Sequence, residues 1–200
     1  MAVRFIILMI CASALGGCGG LLTTDQPAAQ VYWLEPVTRH DDERAMGERA
    51  SIRVTVKAVP GLDTDRIMVK GPGPRLNHYA GARWPGHLPE VLETLVRLSL
   101  ESSGQFSRVI SRATAEPYDG VLELEVREFF AVMDSADSPP VVHIVIAGYL
   151  DCGSGFGAVS SDATARPARN KLGDIVTGYQ QATDEVLTAL VAQVTRECAR

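Results

Sequence analysis

Two runs near the middle of the chain limit its fold more than any other feature. They are "GVLELEVREFFAV" (Gly120–Val132) and "VVHIVIAGYL" (Val141–Leu150), separated by the turn-rich "MDSADSPP". The first alternates apolar with charged residues, a period of two that fits a pleated strand and does not fit one face of a helix. It predicts a strand with one face on a core and the other wet or against a partner. The second, rich in Val and Ile, predicts another long strand. Whatever else the chain does, it must cover a sheet built on these two.

Shorter runs supply more strands. "SIRVTVKAV" (Ser51–Val59) sets Ile52, Val54 and Val56 against Arg53, Thr55 and Lys57, and Pro60-Gly61 ends it. "VYWLEP" (Val31–Pro36), "DRIMVKG" (Asp65–Gly71) and "QFSRVI" (Gln105–Ile110) read as further strands. The stretches "VTRHDDERAMGERA" and "RLNHYAGARWPG" read as loops, as does the glycine-rich "GSGFG" (Gly153–Gly157). Two helices complete the pattern. In "LPEVLETLVRLSLESSG" (Leu88–Gly104), Leu88, Val91, Leu92, Leu95, Val96 and Leu98 share one broad arc opposite Glu90, Glu93, Arg97 and Glu101. Pro89 suits its first turn and Gly104 its end. Ser99 falls inside the apolar arc, which predicts that a neighbouring backbone comes close there. In "GDIVTGYQQATDEVLTALVAQVTREC", Ile175, Tyr179, Ala182, Val186 and Leu190 form one stripe. The expected fold class is a mixed α/β domain, two main helices packed on one mixed β-sheet.

The N-terminus carries a different message. Arg4 precedes eleven mostly apolar residues, Phe5–Leu15, and "LGGC" (Leu15–Cys18) follows. A positive start, a short apolar core and small residues at its exit describe a secretory signal, too short to span a bilayer. In place of an A-x-A cleavage site stands Leu-Gly-Gly-Cys, which resembles the lipobox of bacterial lipoproteins. That resemblance implies a diacylglyceryl thioether and an N-acyl chain on Cys18, enough acyl chains for stable anchoring. Gly19 where inner-membrane retention favours Asp points to the outer membrane. The expected organisation is a signal peptide over 1–17, a lipidated tether over 18–30 and one domain over 31–200. The net charge of −5 argues against a general nucleic-acid binder.

Four cysteines are present, and processing before Cys18 would remove Cys11. With Cys18 lipidated, Cys152 and Cys198 remain in an oxidising compartment, where paired thiols tend to join. Two states are open, a disulfide or two free thiols. The bridge would stabilise the fold by roughly 4 kcal/mol in the chain-entropy model.

Catalytic signatures are weak. Asp63 and Asp65 sit in a turn and read as solvated acids. "GSGFG" lacks the helix start and the Lys-Ser/Thr of a phosphate loop. Ser160 and Ser161 lack the G-x-S-x-G elbow. His40, His78, His87 and His143 are scattered, and with two cysteines they match no metal-ligand spacing. The expectation is no enzyme, no metal and no cofactor beyond the covalent lipid. The stretch that draws attention is "RLNHYAGARWPGHLPEVL" (Arg75–Leu92), where His78, Tyr79, Arg83 and Trp84 cluster. Aromatic and arginine side chains suit a partner interface. Equally, Tyr79 and Trp84 would serve as a small satellite core folded over the helix.

Taken in order, Cys18, "VYWLEP", "DRIMV", "LNHYAGARWPGHLPEVLETLVRLSLESSGQFSRV", "YDGVLELEVREFFA" and the "VLTALV" helix resemble the ABC-type transport auxiliary lipoprotein family, which includes the PqiC-like proteins. The resemblance implies an anticodon-binding-domain-like α/β layer fold and a non-enzymatic outer-membrane lipoprotein facing the periplasm. It implies work beside a mammalian-cell-entry (MCE) domain protein with its permease and ATPase, moving lipids or hydrophobic compounds, and assembly into a homo-oligomeric ring. A different class also fits the residues, a free-standing lipoprotein that binds a small apolar ligand or glycan.

Overall fold

The computed structural model describes residues 28–38, 50–111, 115–135, 138–153 and 155–198. Cys18, the expected signal peptide and His40 lie outside the described residues. The strands are β1 (Gln30–Val31), β2 (Ser51–Ala58), β3 (Arg66–Lys70), β4 (Leu76–Arg83), β5 (Arg108–Ser111), β6 (Gly120–Val132), β7 (Val141–Asp151) and β8 (Phe156–Ala165). Helix α1 spans Leu88–Ser102 and α2 spans Leu172–Cys198. They form a mixed α/β layer, one eight-stranded sheet with two helices.

Strand β6 is the axis of the sheet. One edge pairs antiparallel with β7 along its whole length, and β7 pairs antiparallel with β8. The other edge is shared between two parallel strands. Its first half takes β2, from Ile52↔Gly120 to Ala58↔Val126. Its end takes β3, through Val69↔Ala131 and Lys70↔Val132 only. Beyond β2 lies β5, and beyond β3 lie β4 and β1.

The side-chain parity of β6 changes midway, and the chain handles this with a bulge. Leu122, Leu124 and Val126 point into the core, so strict alternation would carry Glu128 inside next. The register shifts between Val126 and Glu128, an extra residue that keeps Phe129 and Ala131 buried instead. The same core face is continued by Val142, Ile144, Ile146 and Leu150 of β7.

Helix α1 covers β2 and β5, while α2 covers β7 and β8. The stripe Ile175, Tyr179, Ala182, Val186 and Leu190 is buried as its spacing predicts. Against α2, strand β8 offers only Val159, Ser161, Ala163 and Ala165. These small side chains let the helix approach closely. At Gly178 a Cβ would sit 2.9 Å from Pro167 Cγ and 3.3 Å from Val142 Cγ2, so nothing larger than glycine fits without movement.

Residues 32–38 run as an extended strap between the two helices rather than as the strand that "VYWLEP" predicts; only Gln30 and Val31 pair, with Ala82 and Arg83. Side chains hold the strap. Ser99 Oγ accepts from the Val37 N–H at 3.1 Å, which is the close backbone approach expected at Ser99. Ser102 Oγ donates to the Val37 carbonyl at 3.0 Å. From α2, Gln180 accepts from the Glu35 N–H at 2.9 Å and donates to the Glu35 carbonyl at 3.1 Å. Buried beneath the strap, Leu34 joins the core.

Two other expectations are corrected. "LNHYAGAR" forms β4 rather than a loop, its pattern hidden because most of its residues are exposed. The segment after "GSGFG" forms β8, which the sequence reading did not foresee.

Candidate functional site

Helices cover one face of the sheet, and among the described residues no helix covers the other. Across that second face lie Thr55 and Lys57 of β2, Glu123, Glu125 and Arg127 of β6, Tyr149 of β7 and Ser160 of β8, around a shallow hollow of about 470 Å³. Arg127 Nε reaches Glu125 Oε2 at 3.3 Å. Gly148 lies in the floor of the hollow, where a Cβ would run into the Glu123 carbonyl oxygen. The two backbones meet too closely there for any side chain. Beside the hollow, Tyr149 and Phe156 stack at 5.3 Å between centroids while 55% and 73% exposed. Large rings left in water in pairs are unusual on a monomer and fit a contact surface.

A second exposed apolar site lies on the helical side. Trp33 is 65% exposed and, with Pro36, Pro85, Val91 and Leu98, lines a groove of about 300 Å³. Val91 and Leu98 belong to the predicted apolar arc of α1 but are only partly covered. Their free surface is what the groove is made of. Trp33, Tyr149 and Phe156 lie outside the cluster to which the sequence points. For Trp33 a signal existed: alternation along "VYWLEP" sets Leu34 inward and Trp33 outward.

The predicted interface cluster does not stay together. Trp84 is a core residue, 1% exposed, and the expectation that it meets a partner is corrected. Its ring lies edge-on to Phe129 at 5.9 Å and to Tyr179 at 5.3 Å, and Phe129 stacks on Tyr179 at 5.1 Å. The physical reason is that β6 and α2 converge on Trp84 from distant parts of the chain and exclude water. Tyr79 is half-buried beside this cluster, and burial pushes its hydroxyl up to about 12. Tyr179 Oη donates to the Met68 carbonyl at 2.7 Å, and desolvation raises its pKa well above the ordinary tyrosine value. His78 and Arg83 remain exposed on β4, with His78 Nε2 3.4 Å from Arg66 Nη1 and Arg83 3.9 Å from Asp65.

Near the start of α1, His87 Nδ1 lies 2.9 Å from Asp63 Oδ1, and this bond raises the imidazole pKa. The Trp84 N–H donates to the Asp65 carbonyl at 2.7 Å and the Leu88 N–H to the Thr64 carbonyl at 3.0 Å. These contacts clasp the 62–65 turn to the helix entrance, a structural task. Asp119 accepts from the Ser51 N–H at 2.7 Å and from Ser51 Oγ at 2.8 Å, which lowers its pKa. Among the described residues, no three His, Cys, Asp or Glu side chains group as metal ligands, and no helix is long and apolar enough to cross a membrane. Cys152 and Cys198 are joined as a disulfide, with Cα atoms 5.3 Å apart, fastening the end of β7 to the last turn of α2.

No family model matches the chain, and no curated protein matches it. Solved structures do. A crystal structure of a Xanthomonas campestris protein described by the family model DUF330 matches with a TM-score of 0.70 and 22% identity, covering 84% of this chain and 95% of that one. A second crystal structure, of an uncharacterized protein, matches with a TM-score of 0.62 and 13% identity over 86% of this chain and 99% of that one. At these identities the likeness establishes the fold.

Proposed function

We propose that this chain is a non-catalytic docking component of an MCE-type ABC transport system for lipids or hydrophobic compounds, anchored to the outer membrane through lipid on Cys18 and assembled as a homo-oligomeric ring. The observation that carries this reading is the one-sided build of the sheet. Two helices bury one face, and the other presents a broad, shallow surface edged by the exposed Tyr149–Phe156 stack. A shallow aromatic-edged surface has the shape used for protein contact, whereas small-molecule sites are deeper and more enclosed. The lipobox-like Cys18 and the ordered family resemblance along the chain support the same role.

The test is a pull-down of the tagged full chain from detergent-extracted membranes of its own host. Recovery of an MCE-domain protein with its permease and ATPase is the expected result, lost on Tyr149→Ser/Phe156→Ser replacement with the fold intact. Recovery of the folded chain without them overturns the reading.

The Trp33 groove favours a second reading, a free-standing lipoprotein that holds a small apolar ligand. It requires a monomer whose tryptophan fluorescence changes on titration with an apolar probe, and Trp33→Ala would abolish that change.

A further inference from the structure

The sheet has two open ends that complement each other. Following hydrogen-bonded neighbours gives the path β8–β7–β6–β3–β4. Among the described residues, β8 pairs on one side only, with β7. Residues 76–78 of β4 likewise pair only with β3; the register then shifts before Arg83 meets Arg66, and β1 takes just Ala82 and Arg83 of the outer edge. Such edges are templates for another strand, and natural chains usually block them with lysine, proline or a bulge. Strand β8, "FGAVSSDATA", has none of the three over ten residues. Its outward groups can be identified. The Ser160 N–H donates to Gln193 Oε1 of α2 at 3.4 Å, so it faces away from β7. By the two-residue period of a strand, the Asp162 N–H faces the same way.

Direction and charge then select the partner. Both β7 pairings are antiparallel, so β8 runs with β6; β3 also runs with β6, and β4 runs against it. A second copy, turned about an axis along the strands, therefore brings its β4 alongside β8 in antiparallel register. The β3–β4 hairpin, residues 66–83, carries Arg66, Lys70, Arg75 and Arg83 with no Asp or Glu, although Asp65 just before it lies 3.6 Å from Arg66 and 3.9 Å from Arg83; the excess of positive charge rests on Lys70 and Arg75. The β7–β8 hairpin, residues 141–165, carries Asp151 and Asp162 with no Lys or Arg. Unlike ends attract, whereas β8 on β8 or β4 on β4 opposes like charges.

We infer that β8 of one copy adds antiparallel to the β4 edge of a second copy of this chain, so that one sheet continues from protomer to protomer. The contact joins different surfaces, and contacts of that kind close into rings when the rotation allows. This names the interface of the ring in the proposed function and rests on that reading.

The test uses the lipidated full chain in detergent. Differently tagged Asn77→Cys and Asp162→Cys chains are mixed and treated with a bismaleimide. Crosslinks between the two tags are expected; Asp162→Cys chains crosslinked to each other overturn the inference. Asp162→Pro, which removes an outward N–H and leaves the β7 ladder, should give monomers by analytical ultracentrifugation. Should that variant not fold, Asp162→Lys keeps the N–H and should weaken assembly about tenfold at low salt, less at high salt. Full assembly of a folded Asp162 variant, or a monomeric wild type, overturns the inference. MCE recovery is read on the same preparations. An MCE partner held without β8–β4 crosslinks sinks this interface alone, and crosslinked rings with no MCE partner sink the docking role alone.

Discussion

Trp33 and Trp84 are the chain's two tryptophans, and their surroundings are opposites. Trp84 follows β4 and is sealed by Phe129 of β6 and Tyr179 of α2. Trp33 lies on the strap between the helices and faces water, while its neighbour Leu34 takes the buried place. Local composition marks Trp84, among arginine, histidine and glycine, as the surface residue. Long-range convergence reverses that. Whether a large ring is inside depends on what arrives from elsewhere in the chain, and on strand parity, more than on its immediate neighbours.

The comparison is most directly broken at Trp84. Trp84→Ala removes the ring that Phe129 and Tyr179 pack against and leaves a cavity among residues that cannot all collapse. The expected cost is about 3–5 kcal/mol, read from the urea midpoint at unchanged slope. A loss below about 1 kcal/mol would return Trp84 to the surface. Next comes Tyr179→Phe. It keeps the ring stack and deletes the donor to the Met68 carbonyl, so about 1 kcal/mol is expected. A larger loss would show that the hydroxyl, rather than aromatic packing, holds α2 to β3.

How much of this was legible from the sequence follows from the same contrast. Helices α1 and α2 and strands β2, β6 and β7 announce themselves because their apolar periods are local and strong. Strand β8 does not, since its inward face is Val159, Ser161, Ala163 and Ala165, small residues chosen by the closeness of α2. Strand β4 is exposed over most of its length and so lacks an apolar pattern. The Tyr149–Phe156 stack depends on register, with Tyr149 opposite Ala158 and Phe156 opposite Asp151, and no spacing along the chain reveals it. Ser99 was readable because a polar residue in an apolar arc demands a partner. Among the candidate site residues, His78 and Arg83 are exposed, and Trp84 is buried, as the alternative of a small core folded over the helix has it.

A smaller effect sharpens the comparison from the Trp84 side. The His87–Asp63 bond fastens the turn that also holds the Trp84 N–H. His87 has a folded pKa above its ordinary 6.5, so its contribution is fully present below pH 6.5 and is lost as pH rises through the folded value. Wild type should therefore melt at a higher temperature than His87→Ala at pH 5.5, with the gap closing toward pH 8.5. A gap that widens with pH would mean the imidazole acts in its neutral form.

The smallest expected effect lies at Trp33. Trp33→Ala removes a ring that touches the groove yet leaves Leu34, the Val37 and Glu35 hydrogen bonds and the core as they are. Stability should change by no more than about 0.5 kcal/mol, the range of surface substitutions. The same variant should lose any fluorescence response to apolar probes, because Trp84 is shielded from the groove by its own packing. If Trp33→Ala instead costs as much as Trp84→Ala, the strap is held by its ring rather than by Ser99, Ser102 and Gln180, and the division between an inner and an outer tryptophan fails.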